Sequence, residues 1–234
     1  MANAAHHGTR PNSPGVLISF EGLDGVGKTT QISFLERALE QGGLETLRVR
    51  EPGATALGEA VRTILLDKQD LDIAPTAELL LFEAARAQLV ERMILPALAR
   101  GCVVVCDRFF DSTLAYQGFG RGLGETLAKG ANEMACGGLV PDRTLVLDMD
   151  LKTAHARACT QGADRMEREP DAFHERVRAG FLQIAREDPS RVRVVDASGS
   201  AQDVWGRVRP ELADLLVLPK EAPGAQDAPI GGDR

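Results

Sequence analysis

The stretch Gly22-Leu23-Asp24-Gly25-Val26-Gly27-Lys28-Thr29 constrains this chain more than any other, because of what stands on either side of it. Residues 15–21 (GVLISFE) form a short apolar run before it, and a helical pattern continues after it to about residue 41. The stretch fits G-x-x-x-x-G-K-[ST] at a strand-to-helix junction, the context in which that spacing has mechanical meaning. Gly22, Gly25 and Gly27 let the backbone curl so that successive N–H groups and the helix N-terminus point at an anion. The lysine then reaches the outer phosphates of a bound polyphosphate, and the following hydroxyl ligates Mg²⁺. Gly22, Leu23, Asp24, Gly25, Val26, Gly27, Lys28, Thr29 and Thr30 are therefore the expected nucleotide cradle, with Thr29 a metal ligand.

A strand feeding a helix in this way belongs to an α/β domain, and the remaining chain keeps the alternation. Residues 45–51 and 57–67 read as the next strand and helix. A long amphipathic helix is expected from Pro75 to about Arg100, with Leu79, Phe82, Leu89, Met93 and Leu98 at near-helical spacing and Gly101 ending it. CVVVCD (102–107) and RTLVLDMD (143–150) are continuous apolar runs closing on carboxylates, as strands buried on both faces are. Short helical segments lie between them, up to residue 137. A helix at 151–160, an Arg-rich break at 161–169, a helix at 171–188, a strand at 191–197 and a last helix at about 201–217 complete the pattern. The expectation is one domain, 15–217, with five parallel strands and helices on both faces. Residues 1–14 and 218–234 are small, polar and interrupted by Pro and Gly, so they bury too little surface to offset ordering entropy and read as disordered tails.

Composition narrows the function. A formal charge of −7 argues against a general nucleic-acid or membrane-surface binder. The four cysteines, Cys102, Cys106, Cys136 and Cys159, form no C-x-x-C pair, which points to core thiols rather than a metal cage or a disulfide framework. With no apolar leader and no run of about 18 apolar residues, a soluble cytoplasmic protein is expected.

Asp107 closes the CVVVC run, which puts a carboxylate at the sheet's carboxyl edge, beside the loop, where it can hold Mg²⁺ or its water shell. Arg108 adds a cation at the same edge. These parts alone do not separate a kinase from an ATPase or a nucleotide switch, although no N-K-x-D sequence is present for guanine recognition. Phe82 and Arg86 share a helical face, as do Thr113, Tyr116 and Gln117, and together they could form a second, acceptor-binding site.

At this point the chain resembles the thymidylate kinase family over residues 15–217, on FEGLDGVGKTTQ (20–31), REPGAT (50–55), FEAARAQLV (82–90), DRFFDSTLAYQGFGRG (107–122), GGLVPDRTLVLD (137–148), DRME (164–167) and DAS (196–198). The resemblance implies a three-layer α/β/α P-loop NTPase fold and a homodimer. It also implies transfer of the ATP γ-phosphoryl, with Mg²⁺, to the 5′-phosphate of dTMP, giving dTDP and ADP. By resemblance Phe82 stacks on thymine, Arg86, Thr113 and Gln117 bond its edge, and Pro52 lines the base pocket. Tyr116 packs where a ribose 2′-OH would sit, Asp24 reaches the 3′-OH, Arg50 and Arg108 bind the acceptor phosphate, and 196–198 lies near adenine.

An acceptor that is already a phosphate is largely dianionic at pH 7, so no general base is needed; bringing two polyanions together calls for cations instead. The phosphate loop has no Arg, and QGADRMERE (161–169) supplies Arg165 and Arg168, with Arg157 on the preceding helix. A lid carrying them resembles the bacterial variant of the family, with Lys28, Arg108, Arg165 and Arg168 as the catalytic cations. Three positions depart from the family's pattern: Ala54 where a second Gly is common, Phe109 for Tyr or His, and Lys152 for an acidic residue. Ala54 matters most, because Ala avoids positive φ. The rival readings are a deoxynucleoside kinase using a carboxylate such as Glu51 as base, and a non-kinase P-loop ATPase or switch. If the lid reading holds, Arg165→Ala lowers kcat by about 10³-fold or more while changing the KM for dTMP far less; equal kcat in steady-state kinetics would refute it.

Overall fold

The 15–21 run becomes strand β1 (Val16–Glu21), the middle strand of a five-stranded sheet. β2 (Thr46–Arg50), β3 (Val103–Asp107), β4 (Arg143–Asp148) and β5 (Val192–Asp196) complete it in the order β2-β3-β1-β4-β5, every pair parallel. The computed structural model describes residues 15–66, 71–158 and 164–219. The expected tails (except residues 218 and 219), Cys159 and the first part of the 161–169 break lie outside them.

Continuous apolar strands are required because both faces are covered. On β1, Ile18 and Phe20 pack into one core with α1 (Lys28–Gln41), α8 (Asp171–Glu187) and α9 (Ala201–Val208). Leu17 faces the opposite core, and β3 splits the same way: Val103 and Val105 join the first core, while Val104 and Cys106, with Cys102 just before the strand, join the second. Cys102, Cys106 and Cys136 are free, buried thiols. The second core is closed by α3 (Pro75–Leu89) and α4 (Leu95–Ala99), with α2 (Ala56–Leu66), α5 (Phe110–Thr113), α6 (Glu125–Cys136) and α7 (Leu151–Ala158) filling the connections.

Two helices differ from expectation, each through proline. The helix from Pro75 carries a π turn, Val90–Ile94, before α4, in which Leu95 N–H reaches Val90 O. Pro96 has no N–H and its ring would crowd the carbonyl four residues back, so the coil widens there. Expected through 217, α9 ends at Val208 and tightens into a 3₁₀ turn, Arg209–Leu212, at Pro210. A second π turn, Leu114–Gly120, follows α5 and carries Tyr116 and Gln117.

The register sets the site. Phe20 and Arg50 both lie opposite Asp107, so β1, β2 and β3 discharge their chains at one edge of the sheet. β2 runs into Glu51-Pro52, a cis peptide, and then Gly53 and Ala54. Ala54 adopts φ 63°, the left-handed conformation alanine avoids, and its N–H donates to Glu59 Oε1 at 2.8 Å. That bond is the foremost reason the Glu59 carboxyl sits below its ordinary range. Ala54→Gly relieves a left-handed cost of about 1–2 kcal/mol, offset in part by about 0.5–1 kcal/mol of glycine's extra freedom when unfolded. The expected net gain of about 0.5–1 kcal/mol raises Tm by about 2 °C in a thermal melt.

Candidate active site

Gly22 (φ 124°) and Gly25 (φ 81°) form the tight curve of the loop between β1 and α1, and a Cβ on either would lie 2.3 Å from Leu147 O or 2.1 Å from Ala154 O. No side chain fits there. Lys28, at the first turn of α1, turns back over the loop: its Nζ donates to Gly22 O at 3.1 Å and Leu23 O at 2.8 Å and lies 3.6 Å from Asp24. Burial and then the neighbouring Arg108 charge lower its pKa. The Thr29 hydroxyl donates to Asp107 Oδ2 at 3.3 Å, joining the start of α1 to the end of β3. An alcohol and a carboxylate brought together beside a phosphate-binding loop suit a hard, oxygen-seeking cation.

Arg108 has φ 70°, an uncommon conformation for a residue with a side chain. Its N–H bonds Phe20 O at 3.0 Å, Nη1 donates to Gly22 O at 3.0 Å and to Ser112 Oγ at 3.2 Å, and Nη2 pairs with Asp24 Oδ1 at 2.6 Å. Burial opposes the Asp24 charge, but Arg108 and then Lys28 outweigh it and hold that carboxyl well below the usual range. The guanidinium also lies over the Tyr116 ring, 5.1 Å from its centre.

Asp24 and Arg108 form one wall of an open cleft, which Glu51, Pro52, Phe82, Arg86, Thr113, Tyr116 and Gln117 also line. α3 and the 110–120 segment thus bring together the aromatic and polar groups that the spacing had placed on two separate faces. Arg86 is 2% exposed. It pairs with Glu51 at 2.6 Å and Glu83, and donates to Thr113 Oγ1 at 2.8 Å and Asn132 Oδ1 at 2.9 Å. Arg50 lies apart from this lining: it is exposed and bonded to Glu59 at 3.1 Å. Arg62 takes a place in the wall, its Nη1 donating to Pro52 O at 2.9 Å.

The described part of the 161–169 break folds over the outer side of this cleft. Arg165 Nε donates to Leu65 O at 2.7 Å and Nη2 pairs with Glu78 at 2.6 Å, while Asp164 and Met166 join the cleft lining. Arg168 is exposed, its Nε 3.3 Å from Asp164 O, and Arg157 is exposed on α7. Asp196 accepts from Ser198 N–H at 2.9 Å, closing the 196–198 turn.

Sequence reasoning missed three carboxylates. Glu21, fully buried at the end of β1, accepts from Phe109 N–H at 2.7 Å, from Ser19 Oγ at 2.8 Å and from Ser112 Oγ at 2.5 Å. Burial, then Asp111, pushes its pKa up to about 7. Glu51, singled out only as a rival's base, is the partner of Arg86, and burial pushes it to about 7 despite that pairing. Glu78, with no exposed surface, gathers Gln117, Arg121 and Arg165. Its position was a usable signal, since Glu78, Phe82 and Arg86 recur every four residues along one helix face.

Residues 20–208 match the family described as Thymidylate kinase. The thymidylate kinase of Symbiobacterium thermophilum is 46% identical over 214 residues, 92% of this chain and 99% of that protein. That of Bifidobacterium longum is 48% identical over 204 residues, 86% of this chain and 98% of that protein. The crystal structure of thymidylate kinase from Ehrlichia chaffeensis superposes with a TM-score of 0.70 at 35% identity, covering 85% of this chain and 98% of that one.

Glu21 makes the site's stability depend on pH with a defined sign. Its folded pKa of about 7 lies above the ordinary 4.5, so the folded protein holds the proton more tightly and loses stability as pH rises from about 4.5 to about 7. Glu21→Gln removes that titration. The wild type is expected to lose stability relative to the variant by up to about 1.4 kcal/mol per pH unit between pH 5 and 7, read by denaturant unfolding; a pH-independent difference would refute it.

Proposed function

The chain belongs to the thymidylate kinase family, has its P-loop NTPase fold and is an ATP-using phosphotransferase that phosphorylates dTMP to dTDP; from that premise we infer how its own residues do so. One observation carries the inference. The Asp24–Arg108 pair belongs to the phosphate loop on one side and to the cleft wall on the other, so donor and acceptor phosphates meet at a single guanidinium.

ATP lies with its phosphates in the 22–30 loop, Lys28 leaving its carbonyl partners for phosphate oxygens, while Arg157 and the 196–198 turn flank the nucleotide. Thr29 and Asp107 would hold Mg²⁺, which the loop geometry and their oxygen donors suit. Bound there, the ion supplies charge neutralisation for the polyphosphate. dTMP enters the cleft with its base against Phe82 and Pro52 and its edge toward Arg86, Thr113 and Gln117. Tyr116 stands where a 2′-OH would project, Asp24 bonds the 3′-OH and Arg108 holds the acceptor phosphate. Arg50 joins it there on leaving Glu59.

The acceptor dianion attacks without a general base. Arg165 and Arg168 then supply the charge that meets the transferring group, which requires Arg165 to leave Glu78. A homodimer is supported by apolar side chains exposed on three consecutively packed helices: Leu57 and Ile64 on α2, Leu80 on α3, Leu127 and Met134 on α6. No described helix is long and apolar enough to cross a membrane. With the free buried thiols, this supports a cytoplasmic protein.

ADP release measured with dTMP, thymidine or no acceptor tests the whole reading: activity is expected with dTMP alone among the three. Lys28→Met should cut kcat with dTMP by about 10²-fold or more. Turnover that needs no acceptor, or that prefers thymidine, would overturn it.

A further inference from the structure

Glu78 lies at the centre of an arrangement that the reaction as described leaves unexplained. The side chain has no exposed surface, yet it is held ionised and collects its hydrogen bonds from three side chains on two segments, 114–121 and 164–168. Gln117 Nε2 donates to Oε1 at 2.9 Å; Arg121 Nε donates to Oε1 and Nη2 to Oε2, both at 3.0 Å; Arg165 Nη2 donates to Oε2 at 2.6 Å. Burial works against the charge, and the Arg121 and Gln117 bonds outweigh it, keeping the carboxyl below its ordinary range.

An ionised carboxylate only accepts. The amide of Gln117 has one face that donates and one that accepts, and only the donating face can point at Glu78. Its orientation is therefore dictated by chemistry rather than chosen by convention. With Nε2 turned toward Glu78, the carbonyl Oε1 stands at the other corner of the amide, and Gln117 itself lines the cleft. Arg121, pinned to Glu78 and to Glu169 at 2.6 Å, keeps the carboxylate from following the amide if it turns.

We propose that Glu78 is a positioning residue for base specificity: it locks the Gln117 amide so that the site presents an acceptor to the base edge, selecting a pyrimidine with a ring N–H, as thymine has at N3, over one with an acceptor there, as cytosine has. The inference rests on the reading of the cleft as the acceptor-nucleotide site. A site built to bond one pattern rejects the other because buried polar groups would be left facing their like.

The test is kcat/KM for dTMP and for dCMP in the wild type, Glu78→Gln, Gln117→Met and the double variant, with folding checked by circular dichroism and thermal melts. A neutral amide at 78 can donate as well as accept, which frees Gln117 to turn over. E78Q is expected to narrow the dTMP to dCMP ratio by about tenfold or more, mainly through KM, with dCMP gaining. Both acceptors use the same ATP site and lid, so the ratio cancels any effect of releasing Arg165. The double variant should lose no more discrimination than Q117M. An unchanged ratio in folded E78Q, or independent losses in the double variant, would overturn the proposal. Should E78Q lose its thermal transition, Glu78→Asp keeps the charge one methylene shorter and is expected to narrow the same ratio; an unchanged ratio there also overturns it. A wild type inactive with dTMP would overturn the reading of the site itself.

Discussion

The ion pair of Asp24 with Arg108, 2.6 Å long and half-buried, is the joint on which the two halves of the site turn. Asp24 belongs to the loop after β1 and Arg108 to the turn after β3, and the pairing of those strands, Phe20 opposite Asp107, brings them within reach. Arg108 accepts a left-handed backbone to make the contact, and Glu21 holds the same turn from beneath through Phe109 N–H and Ser112. Strain of this kind persists only where surrounding bonds over-determine it.

An acidic chain thereby builds a cleft in which fixed cations and carboxylates balance. The formal charge of −7 belongs to the whole sequence, whereas the cleft wall sets Arg62, Arg86 and Arg108 beside Asp24, Glu51 and Asp164. Two of these are spoken for by carboxylates, Arg86 by Glu51 and Glu83, and Arg108 by Asp24. The pairing keeps each guanidinium in one orientation, and planar forks held in place are what recognition of a base edge and a phosphate requires.

Much of the fold was legible because local chemistry and global architecture agree. The loop residues 22–29 need glycine where a Cβ would strike Leu147 O or Ala154 O, and β1 and β3 need apolar residues on both faces because helices cover both. Prolines hid the remainder: Pro96 and Pro210 sit inside helical patterns whose periodicity continues past them, so the π turn and the 3₁₀ end follow from hydrogen bonds that spacing does not encode. In the site, the recurrence of Phe82 and Arg86 on one face and of Thr113, Tyr116 and Gln117 on another was readable. Which groups met them was not.

By itself the sequence determined the phosphate loop, the strand-helix alternation and the residue types gathered for a nucleotide and a planar acceptor, since each is a matter of spacing along one segment. Only the tertiary structure decided the partners. Arg50 lies against Glu59 outside the cleft, Arg165 rests on Glu78 and Leu65 O, and Glu51 serves Arg86. A buried charge takes whichever opposite charge the packing brings within about 3 Å. That choice is made between elements dozens of residues apart, where no local pattern records it.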